Sequence, residues 1–584
     1  MDTERAMAHP ASTRGTAAWV QPADGVEVNE AAWTKQAQRL LPPDALALIA
    51  ALHRTLEPMR QDLLATRRTR QAEWDAGAVP GYLAKDAHPE AHTDWQVAPL
   101  PDDLLQRRVE ITGPINDPKM VINMLSRTDD GHRADAAMLD FEDSMKPAWA
   151  NVMQGVENLI GAADGTLTYT KPARNGQPEK HYAIDPDDMP LLMVRVRGLH
   201  LDESNVLVDG TPVSGGLLDL ALSAFHTAQA LIDQGKTPKY YVPKVEHFEE
   251  ARWWNTLFVE LQEALSIPTG TFKATFLIET LPAAFQMEEI LYEIREHAAG
   301  LNGGRWDKIF SDIKVLKTHS GRIIADRNSV GMNRDWMAMY VKQLIKVCHR
   351  HGAFGMGGMA PQTPGRTAEL REKQVAGVVA DKEFEASIGH DGCWVSHPYF
   401  IAPAMEPFEE KLDAEGKQNQ RDVIPDIPEQ PDLLPKTTGP RTLDGIRVNV
   451  RVSIGYMKGW LQDIGAVAWD NRMEDLATFE ISRAQTWQWL HHGVELDDGT
   501  LVTPDLVRRI FDEELAVIQD EARDFFAGRP GDVIEQQVQR FAEAKDVAEH
   551  IFLEETFRPF LCCQSNRVGD DQHNEALLRT DSCA

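Results

Sequence analysis

Cysteine is scarce: five residues in 584 (Cys348, Cys393, Cys562, Cys563 and Cys583), with no CxxC pair. That excludes a disulfide-stapled scaffold and predicts a reducing, cytoplasmic setting. Positive charge is also in short supply. Lys and Arg number 60 against 90 Asp and Glu, a formal charge of −30. Nucleic-acid binding, which needs clustered cations, is therefore not expected. An anionic substrate would need a local cation, either arginine or metal. No apolar run nears the ~20 residues of a membrane span, and the opening MDTERAMAHPASTRG lacks the apolar core of a secretory signal. No internal repeat or low-complexity segment is found. What remains is globular, with 42% hydrophobic and 26% charged residues. The length exceeds one ordinary core, so a large domain with accessory domains is expected.

Residues 1 to 105 read as helical and polar. Short apolar runs then recur, each followed by a stretch of helical period: RRVEITGP (107–114), AAMLDFED (136–143), PLLMVRVRG (190–198), KYYVPKVEH (239–247), KATFLIET (273–280), DKIFSDI (307–313), GAFGMGG (352–358) and DGCWVSHP (391–398). Eight strand candidates alternating with helices predict a (β/α)8 barrel over 106–405. A doubly wound open sheet fits the same alternation, and periodicity does not separate the two. Asn175-Gly176 predicts the turn of a hairpin inserted near 165–189. Prolines 425, 428, 431, 435 and 440 mark 406–445 as an extended connection. Residues 446–584 read as a separate helical domain.

Side chains at the C-terminal strand ends of a parallel barrel line its site. Here those ends carry Asp140, Glu142 and Asp143, then Arg195 and Arg197, Lys244 and Glu246, and Glu279, while Asp307 opens the run after a glycine-rich turn. Such a carboxylate-rich set with arginine close by suits Mg²⁺, which takes oxygen ligands and keeps waters. No His/Cys cluster suggests zinc. The turn itself, GLNGGRWDKIF (300–310), admits two readings. Gly300 is either the C-cap of the preceding helical stretch, with Asn302-Gly303 turning the chain, or part of a loop whose backbone approaches a ligand. Near the C-terminus, Leu476, Phe479, Trp487 and Leu490 fall on one helical stripe. A helix starting near Glu474 would place Asp475 in its first turn, where the dipole favours the carboxylate.

These motifs together resemble the malate synthase family in its shorter A form: RRVEITGP, DFEDS, VRVRGLHL, YYVPKVEHFEEARWWN, REHAAGLNGGRWDKIF, MGGMAPQTP and MEDLATFEISRAQTWQW, in this order through most of 107–495. One departure is Lys308, where tyrosine is usual. The resemblance implies a TIM barrel with an N-terminal helical clasp and a C-terminal helical plug. It implies condensation of acetyl-CoA with glyoxylate to malate and CoA, with Mg²⁺. It assigns Glu279 and Asp307 to the metal, and Gly304, Arg305, Trp306 and Asp307 to the turn that receives glyoxylate. Arg195, rather than Arg197, becomes the catalytic arginine and Asp475 the base. Asp140 and Glu142 stand behind the metal, and Ser144 lies where CoA is touched. As a carboxylate at a helix N-terminus, Asp475 is expected to be a feeble base. A Mg²⁺-dependent C–C lyase of acyl-CoA β-hydroxy esters, like citrate lyase β, is the alternative, and a catalytically silent scaffold a remoter one. Oligomeric state is not predicted.

Overall fold

In the computed structural model, residues 18–173, 178–412, 423–561 and 567–568 are described. The Asn175-Gly176 turn and Cys562, Cys563 and Cys583 lie outside them. The apolar runs become eight parallel strands: β1 Val109–Pro114, β2 Ala136–Asp140, β3 Leu191–Arg195, β4 Lys239–Val242, β5 Lys273–Leu277, β6 Ala298–Asn302, β7 Phe354–Ala360 and β8 Gly392–Val395. They close into a barrel in sequence order, with Cys393 of β8 beside Val109 of β1. Of the two architectures that alternation allows, the chain adopts the closed one. Strands covered on both faces need no alternation, which is why most read as unbroken apolar runs. Leu104, Ala136, Met138, Met193, Tyr241, Leu277, Ala299 and Trp394 form a cluster of their own. Beside it Arg107 donates to Glu110 (2.7 Å), the Tyr241 hydroxyl (2.9 Å) and Thr275 (3.0 Å).

The sixth strand differs from expectation. DKIFSDI is helix, part of Trp306–Val315, and the strand is AAGLN just before it. Ile309, Phe310 and Ile313 recur at helical spacing, whereas AAGLN has one large apolar residue and hides among helix-forming neighbours. Gly300 is therefore not a helix cap. It lies mid-strand, where an added Cβ would stand 2.2 Å from the Phe354 carbonyl oxygen of β7.

The N-terminal segment holds the long helix α1 (Pro43–Asp75), but it is not wholly helical. Trp19–Ala23 and Val26–Asn29 join Asp202–Val208 and Thr211–Ser214 in a four-stranded sheet. Thr168–Lys171 and Lys180–Ala183 pair antiparallel, as an inserted hairpin requires. In the barrel, α2 spans Trp306–Val315; among the described residues four helices follow the proline-rich stretch: α3 Leu443–Trp460, α4 Leu476–His491, α5 Pro504–Phe525 and α6 Gly531–Phe552. They share a second core. α4 is buried around its whole circumference rather than along one stripe, because the barrel core takes Ile481, Ala484 and Trp487 while the C-terminal core takes Leu476, Phe479 and Trp489.

Candidate active site

β2 ends in Asp140, whose carboxylate organises the turn that follows. It accepts from the amides of Glu142 (2.8 Å) and Ser144 (2.9 Å) and from the Ser144 hydroxyl. It also grips Arg195 in a fork, 2.7 Å to Nε and 2.6 Å to Nη2. The remaining Nη1 faces Glu142 (3.5 Å) and Asp143 (3.9 Å). Burial opposes the guanidinium charge, but Asp140, Glu142 and Asp143 hold it firmly protonated. Arg197, two residues on, points elsewhere: it is locked between Asp219 (2.8 and 2.9 Å) and Glu203 (2.9 Å).

Lys244 occupies the centre of the acidic group. Its Nζ lies 2.6 Å from Glu142, 2.7 Å from Asp143 and 3.2 Å from Asp307, while its amide donates to Glu279 (2.9 Å). Its φ of +53° is a conformation that a lysine adopts only where surroundings impose it. Arg67 of α1 holds its carbonyl at 2.8 Å. The sequence marks Lys244 as a strand-end charge, but nothing in its spacing implies this position. Glu246 is not part of the group; it pairs with Lys314 at 2.6 Å.

Asp140, Glu142, Asp143, Glu279 and Asp307 are all buried, and the cations among them are Arg195 and Lys244. Five carboxylates against two cations leave a deficit that a divalent cation would offset. Burial pushes the Asp307 carboxyl well above the usual range, with Lys244 opposing and the neighbouring acids adding to it. Burial raises Glu279 as well, while Lys244 and Arg195 overcome burial to hold Asp143 low. Asp143 Oδ1 is buried and accepts no hydrogen bond, and Asp307 Oδ1 meets only the Lys244 ammonium, at 3.2 Å. Among the described residues no three His, Cys, Asp or Glu side chains converge as a finished metal cage. Two carboxylates with open positions are what Mg²⁺ shared with a substrate requires, so the donor set fits.

The glycine turn follows β6. Gly304 lies so near Glu279 that a Cβ would come within 3.1 Å of the glutamate Cβ, and Asp307 sits in the first turn of α2. Lys308 turns inward to a buried pair with Asp312. From the other core, Leu476 N donates to the Asp143 carbonyl (3.1 Å), which brings Asp475 against the acidic turn. Asp475 is the N-cap of α4 rather than a first-turn residue, and shares a capping box with Thr478. The feeble base expected from the dipole is not found. Burial first, then the Asp143 charge, push this carboxyl up to about 7. The Ser144 hydroxyl is turned to Asp140.

Three family models match the chain: "Malate synthase, N-terminal domain" at 24–88, "Malate synthase, TIM barrel domain" at 191–434 and "Malate synthase, C-terminal" at 440–567. A malate synthase of Myxococcus xanthus is 45% identical over 84% of this chain and 88% of the relative. Malate synthase A of Escherichia coli is 42% identical over 83% and 89%, and a glyoxysomal malate synthase of Candida tropicalis 40% identical over 87% and 90%. The chain belongs to the malate synthase family. Condensation of acetyl-CoA with glyoxylate, the malate synthase reaction, makes it an acyltransferase of the glyoxylate bypass. The barrel model starts at β3, so β1, β2 and the turn from Asp140 to Ser144 precede it. The match at 440–567 covers α4 and Asp475.

Proposed function

We propose that the malate synthase reaction runs in the acidic pocket, with Glu279 and Asp307 holding Mg²⁺ and the backbone of 304–307 receiving glyoxylate. When bound, the metal supplies Lewis-acid polarisation of the aldehyde and fixes its orientation. Asp140 and Glu142 stand behind these groups, and Asp140 aims Arg195. The aimed guanidinium keeps Nη1 for the thioester oxygen of acetyl-CoA, where negative charge develops as the methyl proton leaves. Asp475 takes that proton. A carboxyl near pH 7 is a far better base than an exposed aspartate, and its enclosure keeps water from the enolate. The enolate carbon attacks the aldehyde carbon, and water then cleaves the thioester to malate and CoA. Ser144 we place beside CoA. The cytoplasm is the compartment we favour, supported by the two buried free thiols of Cys348 and Cys393.

The observation that carries this reading is the meeting of Asp475, from the second core, with the Asp143–Arg195 group at the barrel mouth. The test is CoA release from acetyl-CoA plus glyoxylate, titrated with Mg²⁺, for the wild type, Glu279→Gln and Asp307→Asn. Each variant should need at least ~10-fold more metal, the usual cost of losing a ligand or its support. A metal titration identical to wild type would move the site elsewhere.

A further inference from the structure

Three arginines near the pocket have no carboxylate partner among the described residues. Arg305 precedes α2, Arg327 lies in the segment after it, and Arg472 stands on the strand that leads to Asp475. Arg305 and Arg327 lie against the same Trp306 ring, their guanidinium carbons 4.2 and 5.2 Å from its centroid. Arg305 Nε donates to the Val330 carbonyl (2.9 Å), and Arg327 Nη1 to the Thr478 carbonyl (3.3 Å) on α4. Arg327 is buried and its Nε meets no acceptor. Arg472 lies within electrostatic range of both. Two acids stand near, without reaching any of the three: Asp381 is paired with Lys382 at 2.9 Å, and Glu474 feels Arg327 only at longer range.

A chain with thirty surplus negative charges has carboxylates to spare for pairing arginines. Elsewhere it uses them: Arg60, Arg107, Arg195 and Arg197 are all buried and all ion-paired. Crowding three cations with no carboxylate among the described residues to pair them costs stability that an arriving anion would return. We propose that Arg305, Arg327 and Arg472 form an oxyanion subsite on the seam between the barrel and the C-terminal helices, which takes a carboxylate or phosphate group of a substrate. Two of its arginines come from the barrel and one from the C-terminal unit, so an occupying anion draws the two together beside Asp475. This rests on the proposed function for the identity of the substrates, glyoxylate with its carboxylate and acetyl-CoA with its phosphates.

The test is steady-state kinetics of the full-length Arg327→Gln and Arg472→Gln variants, with inorganic phosphate as a competing anion. The KM of one substrate should rise at least ten-fold, with a smaller change in kcat, and inhibition by phosphate should weaken in step. Arg327→Lys and Arg472→Lys, which keep the charge, should recover most of the loss. A rise for glyoxylate identifies the carboxylate. A rise for acetyl-CoA that vanishes with acetyl-pantetheine, which lacks the phosphates, identifies the phosphate. If Arg327→Gln does not fold, the more exposed Arg472→Gln carries the test alone. Unchanged KM for both substrates with unchanged phosphate inhibition overturns the subsite. An inactive wild type that still binds phosphate through these arginines would instead count against the proposed function.

Discussion

Asp475 caps α4 by accepting from the Thr478 amide (3.3 Å), and the same carboxylate is the proposed base. Its folded-state pKa, about 7, lies above the 3.8 of an unperturbed aspartate. A raised pKa means that stability is complete below the unfolded value and is lost as pH climbs through the folded one, because the enclosed carboxylate is the costly form. Asn also caps helices well and carries no charge. Asp475→Asn should therefore lose at least ~1,000-fold in turnover, in the manner of a lost general base. Melted without metal, it should match the wild type at pH 4 and exceed it at pH 8 by about 4 kcal/mol, the linkage value of a carboxyl carried from 3.8 to about 7. A variant that melts lower at pH 8 would show that the charge stabilises α4. In the wild type kcat/KM should fall as pH drops through about 7. The two arginines of VRVRG separate by the same kind of reasoning. Arg197→Gln would leave Asp219 in the interior without its cation, so it should cost about 3–5 kcal/mol of stability. Arg195→Gln should leave a folded protein without turnover, because Asp140 retains the amides of Glu142 and Ser144 as donors. Denaturant melts beside turnover assays decide both.

At the scale of elements, β6 shows what a local pattern can and cannot reveal. Seven barrel strands were legible because apolar density marks a strand buried on both faces. AAGLN was not, since what defines it is its neighbour: the β7 backbone passes where a side chain at residue 300 would sit. Gly300→Ala should force β6 from β7 and cost about 3 kcal/mol or more, read as a lowered denaturation midpoint. It should also weaken Mg²⁺ activation, because β6 sets the turn that delivers Asp307. A midpoint within error of wild type would mean that the strands separate freely. The carboxylates of the pocket were legible for a related reason: strand ends in a barrel converge, so Asp140, Glu142, Asp143 and Glu279 could be grouped from order. Order gave no choice between Arg195 and Arg197, however, and drew in Glu246, which pairs elsewhere. Lys244 was seen but not its central place, which depends on a left-handed backbone. Arg327 and Arg472 gave no signal, lying in a three-residue 3₁₀ turn and on a three-residue strand. The Asp475 pKa was misjudged because the helix dipole is local and visible, whereas burial between two cores is not.

For the whole molecule, the question is whether the C-terminal helices can move as a body over the barrel. α4 belongs to both cores, and its far face is stitched to the segment after α2: Gln485 donates to the Ala325 carbonyl (2.6 Å) and Trp489 to the Ile324 carbonyl (2.8 Å). The chain beyond α6 adds a second fastening. Leu561 N donates to Glu480 of α4 (2.7 Å), and Phe557 and Phe560 lie 6.3 and 5.7 Å from the Phe310 ring of α2. Farther on, Val568 meets Asn29 (2.7 Å) and Asn205 (2.8 Å) of the N-terminal sheet. Helices carrying Asp307 and Asp475 thus share one aromatic wedge. Cores joined through a common helix should melt together, so calorimetry should record one transition. Phe560→Ala should lower that transition as a unit by about 3 kcal/mol, and Mg²⁺ with glyoxylate at 100 times Kd should raise it by about 2.7 kcal/mol. Two resolved transitions, with only the upper one responding to ligand, would show that the C-terminal helices detach before the barrel opens. Asp475 would then be delivered by a docking event in each turnover rather than held in place from the start.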